Sequence, residues 1–279
     1  MKPVFQHITV PVDGSAACER GIAFALELAR DGGRLSFCSV VDPSLVCTPA
    51  AFGAAIDPGP MLGVLDDDAA TFCAHARDRA ASQAIASDTN VLHGTPIAAI
   101  ESFAEHNGSD AIVIGTNGRT GFSRAILGSV AEGILRRASV PVVAVHQDDE
   151  MRTGPLAVAL DDSVAARAAL DVAIRIAAAR GMTMLLIHAC DARPDVKAVN
   201  AMFDAAAQRA RAAGVSAESV VREGAPVDTL LQIADQRDCC MVVMGTHGRA
   251  PLARLVLGSV AAGVLERARV PVVTVRCAA

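Results

Sequence analysis

Two segments of this 279-residue chain hold residue types that could do chemistry at matched spacing. One reads Gly115-x2-Gly118-x9-Gly128-Ser129 and the other Gly245-x2-Gly248-x9-Gly258-Ser259. Glycine lets backbone N–H groups approach an anion with no Cβ in the way. A serine at a helix start sits where the helix dipole and unpaired amides already favour negative charge. The chemistry indicated is phosphate capture. The plainer alternative is that the glycines turn the chain and the serine caps a helix. Retention of three glycines and a serine in both segments, within a chain otherwise freely diverged, favours the phosphate site. Ser129 with Glu132 also fits a capping box, whereas Ala262 stands at the matching place in the second segment.

Arg119 and Arg124, with Arg249 and Arg254, lie between the paired glycines and Gly-Ser. A guanidinium offers forked donors to phosphate, so these can offset triphosphate charge or stand as solvated loop arginines; both readings stay open. Neither segment contains lysine and no Gly-x4-Gly-Lys-[Ser/Thr] occurs, which argues against a P-loop NTPase. No Gly-x-Gly-x-x-Gly follows the first strand of either half, which counts against a dinucleotide-dependent dehydrogenase. Hydrolysis needs a positioned base and a metal-holding carboxylate near the phosphates. Asp13 and Asp42 are metal neighbours at most, so no catalytic residues and no metal site are assigned. Eight cysteines with no Cys-x-x-Cys pair, several inside apolar runs, read as buried thiols. His188 reads as a core histidine, and His7 and His93 carry no partner pattern.

The elements that must position these residues form a repeat. Residues 111–145 align with 241–275 without a gap at an offset of 130, ending in Val-Pro-Val-Val-x-Val at Val140–Val145 and Val270–Val275. The starts align at an offset of 148, pairing Val12-Asp13-Gly14-Ser15 with Leu160-Asp161-Asp162-Ser163. The first copy therefore holds about 18 extra residues (148 − 130 = 18), assigned to a long loop over Pro43–Asp68. The predicted domains are 1–147 and 156–279, joined by a linker at 148–155. Apolar runs at Ile8–Val12, Leu35–Val41, Ala111–Ile114 and Val142–Val145 predict buried strands. Amphipathic stretches at Ala16–Ala29, Ala69–Ala86 and Ile97–His106 predict helices, repeated at Val164–Ala179, Val196–Ala213 and Val227–Gln236. Such alternation means a parallel sheet covered on both faces, with ligands beyond the carboxyl ends of its strands. Asp13 and Asp161 both precede a helix and can instead serve, with Ser15 and Ser163, as N-cap groups.

Composition bounds the rest. A 52% hydrophobic fraction with 20% charged residues suits packed α/β cores. A net charge of −5 argues against a general nucleic-acid binder. No apolar run reaches the length that spans a bilayer, and the first residues lack a signal-peptide pattern, so a cytosolic protein is expected. Trp and Tyr are absent, so a bound heterocycle would rest on aliphatic walls.

The glycine motif resembles that of the universal stress protein family, in its ATP-binding branch. Val12-Asp13-Gly14-Ser15, Val40-Val41-Asp42, the Gly94-Thr95-Pro96 and Gly224-Ala225-Pro226 turns and the closing strands support the resemblance over nearly the whole chain, twice. It implies two tandem Rossmann-like (adenine nucleotide α-hydrolase-like) domains, each a five-stranded parallel sheet with helices on both faces. By motif position it puts Asp13 and Asp161 near the adenosine end and Val41 against adenine, with Cys190 at the matching place. The glycines with Ser129 or Ser259 hold ribose and phosphates, and the amides of Val130 and Val260 continue the cradle. The implied cofactor is ATP, with Mg2+ as an accompanying option. The implied function is a nucleotide-dependent stress-response regulator with an unidentified protein partner. The closing strands resemble the family's pairing edge, which implies pseudo-symmetric docking of the halves, and a further homodimer of chains is left open. A slow ATPase or self-phosphorylating protein, a nucleotide-independent interaction module, and a binder of AMP or a cyclic nucleotide are the alternatives.

Overall fold

The computed structural model describes residues 3–46, 59–116, 127–191, 195–247 and 257–276. In chain order the first half runs β1 (His7–Pro11), α1 (Ala16–Ala29), β2 (Arg34–Val41), α2 (Gly59–Ser82), β3 (Ala86–His93), α3 (Pro96–His106), β4 (Ala111–Gly115), α4 (Ser129–Arg137) and β5 (Val142–Val145). The second half runs β6 (Leu156–Ala159), α5 (Val164–Arg180), β7 (Met184–Cys190), α6 (Val196–Ala212), β8 (Ala217–Glu223), α7 (Pro226–Gln236), β9 (Met241–Gly245), α8 (Ser259–Arg267) and β10 (Val272–Val275).

The strands make one ten-stranded sheet in the order β3-β2-β1-β4-β5-β10-β9-β6-β7-β8. Pairing is parallel within each half, and the halves meet where β5 and β10 run antiparallel, Val143 opposite Val273. Alternate residues of each strand enter opposite cores. Ile8, Val113, Val143 and Val273 join the face covered by α1, α2, α5 and α6. Ile112, Val142, Val242 and Val272 join the face covered by α3, α4, α7 and α8. Each core is continuous across the seam, which is why the halves act as one sheet rather than as two beads.

Local signals set several boundaries. Ser15 caps α1 by accepting from the Cys18 amide at 3.1 Å, and Ser163 caps α5 by accepting from Ala166 at 3.0 Å. Asp13 and Asp161 accept from the amides of those serines, each at 3.0 Å, and so brace the caps without being the caps. Pro96 and Pro226 open α3 and α7, where a missing N–H costs nothing.

Several sequence expectations are corrected. The long loop is partly helical: α2 already runs from Gly59, and residues 47–58 lie outside the described set. The helix expected to reach Ala86 stops at Ser82; Ala84 takes a left-handed φ of 56°, and an edge strand, β3, begins at Ala86. Periodicity missed β3 and β8 because their polar, partly exposed residues do not form an apolar run. The segment between the halves is anchored to α7, since Arg152 pairs with Asp235 at 2.8 Å.

Candidate functional site

In the first half the chain winds from β1 outward to β2 and β3, then returns to the other side of β1 as β4. The loops beyond the carboxyl ends of β1 and β4 diverge there and leave a crevice, the usual ligand position in such sheets. A cavity of about 530 Å³ occupies it. Asp13, Val41, Gly115, Gly128, Ser129 and Val130 all line this cavity. Gly118 and Arg119, with Arg124, lie outside the described residues.

The phosphate-type end is built on α4. Gly128, not Ser129, is the N-cap residue, and it makes no side-chain cap bond. Ser129 therefore stands one position inside the helix, and the expected capping box is absent. Glu132 instead holds Arg136 at 2.6 Å, one turn on. The Gly128 amide is already used, donating to the Thr116 carbonyl at 2.7 Å. The amides that helix geometry leaves without an intrahelical acceptor are those of Ser129, Val130 and Ala131, all of which line the cavity.

Gly115 has a role the sequence reading missed. A Cβ there would come within 2.6 Å of the Ala17 carbonyl carbon, and one on Gly245 within 2.7 Å of its counterpart at Ala165. These first glycines let α1 and α5 press onto the strand ends, so part of the motif is packing. Gly258 differs, because its Cβ would meet the Thr246 carbonyl at 2.9 Å, inside the turn that leads into α8.

The opposite end is aliphatic. Val41 is buried, and Leu65 and Ala69 of α2 close over the same space. Cys18 and Cys38 also line the cavity. Burial pushes the Cys18 thiol up to about 12 and raises Cys38 as well, so both stay protonated near neutral pH. The lining carboxylates are Asp13 and Asp42; Asp42 accepts from the Ser44 amide at 2.9 Å. No Lys or Arg lines the cavity among the described residues.

The second half holds a counterpart of about 300 Å³ lined by Asp161, Gly245, Gly258, Ser259 and Val260. Gly248 and Arg249, with Arg254, lie outside the described residues. Cys190 occupies the register position of Val41, since Gly94 donates to the Val41 carbonyl and Gly224 to that of Cys190. It does not line the cavity, however; Ala189, one residue earlier, does. Two differences among the described residues accompany the smaller space. The helix α6 has 17 residues against 24 in α2, so among the described residues no helical turn matches the one that carries Leu65. Ile187 also replaces Cys38 on the wall. At the phosphate-type end His247 lines the cavity, its Nδ1 2.9 Å from the Thr246 hydroxyl. Its Nε2 is buried with no hydrogen-bond partner among the described residues. An orphaned ring nitrogen beside a helix N-terminus fits an anionic ligand.

Other differences between the copies find physical reasons. Asp110 accepts from the amides of Gln6 and His7 at 2.8 and 3.1 Å, tying down the start of β1. Its counterpart Cys240 points its thiol at the Pro155 carbonyl, 3.7 Å away. His188 is buried with Nδ1 2.7 Å from the Leu160 carbonyl, as a core histidine would be.

A family model described as "Universal stress protein family" matches residues 5–146 and again 153–276. The chain belongs to the universal stress protein family. A universal stress protein of Mycobacterium tuberculosis is 29% identical over 301 residues, aligned over 99% of both chains. A crystal structure of a universal stress protein from Archaeoglobus fulgidus superposes with a TM-score of 0.77 at 20% identity, covering 98% of this chain and 96% of that one. A second, described as a putative universal stress protein from Pseudomonas aeruginosa, gives 0.67 at 17% identity over 98% and 93%. At those identities the likeness concerns the fold alone. No helix among the described residues is long and apolar enough to cross a membrane.

Proposed function

We propose that this tandem universal stress protein binds ATP, in its first cavity before its second, and acts as a nucleotide-dependent regulator. The observation that carries the reading is the first cavity itself. It joins an aliphatic end at Val41 and Leu65 to the free first-turn amides of an α-helix at Ser129–Ala131. That combination suits a flat apolar base at one end and an anion at the other. In this reading Val41 takes the adenine, Asp13 the adenosine end, and Gly128, Ser129 and Val130 the phosphates. Gly118 and Arg119 extend the same segment, with Arg119 offsetting phosphate charge. Asp13 and Asp42 are the carboxylates a Mg2+ accompanying the triphosphate would meet. In the second half Asp161, Gly258, Ser259 and Val260, with Gly248 and Arg249, would make the equivalent contacts. Ala189 replaces Cys190 in that assignment.

The division into domains 1–147 and 156–279 around a linker at 148–155 belongs to this proposal. So do a cytosolic location, an unidentified protein partner that reads the nucleotide state, and pairing of two chains. In this reading the chain binds ATP and signals its presence rather than turning it over. Mass spectrometry of nucleotide released from the purified chain, followed by equilibrium ATP titration, tests the reading. Near-stoichiometric ATP and saturable binding are expected. Accumulated ADP would convert the proposal to a slow ATPase, and AMP or a cyclic nucleotide would change the ligand. No nucleotide and no saturable binding would sink it in favour of an interaction module.

A further inference from the structure

The last residues of β5 and β10 lead into a pair of side chains that cross the seam in opposite directions. His146 follows β5 and is buried. Its Nε2 lies 2.6 Å from the carbonyl oxygen of Leu265, in the final turn of α8. A carbonyl only accepts, so Nε2 carries the proton and donates. Nδ1 lies 2.6 Å from the hydroxyl of Thr116, a residue that lines the first cavity and whose carbonyl accepts from Gly128. Arg276, at the same place after β10, donates from Nη1 to the carbonyls of Arg136 and Arg137 at 2.8 and 3.0 Å. Those carbonyls close α4.

Final-turn carbonyls are the ones a helix leaves without an i+4 amide, and they carry its negative end. Each crossing residue therefore meets the negative end of a helix whose positive end bounds a cavity in the opposite half. Neither His146 nor Arg276 lines either of these two cavities. The side chains around Arg276 support the contact. Arg136 and Arg137 are occupied by Glu132 at 2.6 Å and Glu101 at 2.9 Å, which offsets their charge beside a third guanidinium.

We propose that Arg276 and His146 are positioning residues, each holding from the other half the helix that presents amides to a nucleotide cavity. The first cavity is thus completed by the second half through α4, and the second by the first half through α8. The two arms differ in kind. Arg276 brings a permanent charge to two carbonyls, whereas His146 brings a single donor that is also bonded to the Thr116 hydroxyl. Thr246 turns its hydroxyl to His247 instead. A hydrogen-bonded route thereby runs from the first cavity, through Thr116 and His146, to the helix at the second.

The ligand readout rests on the ATP reading above, so the test has two arms in the full-length chain. In a Ser259→Glu background, which leaves the first cavity, calorimetric titration with ATP compares Arg276→Met and Arg276→Lys. Loss of a charge-assisted bond pair is expected to weaken ATP about tenfold in Arg276→Met, with Lys recovering most of it. Hydrogen exchange without nucleotide is the second arm. Arg276→Met should lower protection of α4 amides and spare α8, and His146→Phe should do the reverse. Helices that lose protection together, or not at all, would overturn the positioning role, as would unchanged ATP affinity in Arg276→Met. If unmodified protein binds no ATP, the nucleotide reading falls while the exchange pattern still decides this one.

Discussion

The two halves share a fold, a glycine motif and a seam, yet their cavities differ by nearly a factor of two, about 530 Å³ against 300 Å³. The phosphate-type ends are nearly alike. Gly128 and Gly258 both donate to a threonine carbonyl, at 2.7 and 2.8 Å, and both precede a nine-residue helix. The difference lies at the far wall, where α2 brings Leu65 and Ala69 and α6 stops short. A duplicated glycine turn and helix start can therefore persist while the rest of the cavity changes, because separate elements build the two ends.

The largest effect expected within this comparison comes from charge at the helix starts. Ser129→Glu places a carboxylate where phosphate is to sit, and like charges so close cost several kcal/mol, so first-cavity ATP affinity should fall about 100-fold. Ser259→Glu should change total binding far less, as read by titration calorimetry. Equal losses would break the ranking of the sites. Next in size are the packing glycines. Gly115→Ala and Gly245→Ala each force a Cβ into helix backbone, an overpacking expected to cost about 1–3 kcal/mol in either half. Thermal melts should show similar drops for both; a drop in only one would mean the copies no longer share that contact.

A smaller effect should follow from exchanging the wall. Cys38→Ile gives the first cavity the second's side chain and should weaken ATP by roughly fivefold through overpacking. Ile187→Cys should open the second cavity, so its occupancy by ATP in native mass spectra is expected to rise. The smallest is Leu65→Ala at a half-buried position of α2, where partial loss of apolar contact should cost about 1 kcal/mol or less of ATP binding. Unchanged affinity would mean that α2 covers the cavity without touching the ligand.

Much of this molecule could be read from the chain. The 130-residue offset revealed two copies, and apolar runs such as Ala111–Ile114 located the central strands. Ser15 and Ser163 announced helix starts, and both cap as their type suggests. Edge strands β3 and β8 escaped because half-exposed residues blur the apolar signal. The motif led to the carboxyl ends of β4 and β9 but gave one reason for all its glycines. Gly115 turns out to serve close packing against Ala17, a contact about 100 positions away along the chain.

By itself, then, the sequence determined the duplication, the strand–helix alternation and the existence of two anion-type motifs. Those are local or repeated patterns, carried by residues close together in the chain. Only the tertiary structure decided that Ala189 and not Cys190 lines the second cavity, that α2 walls the first, and that the expected docking of the closing strands is an antiparallel β5–β10 pairing within one sheet. The same holds for His146 reaching Leu265 and for Arg276 reaching Arg136. Such contacts join residues more than 100 positions apart, and no spacing along a chain encodes which distant carbonyl a side chain will find.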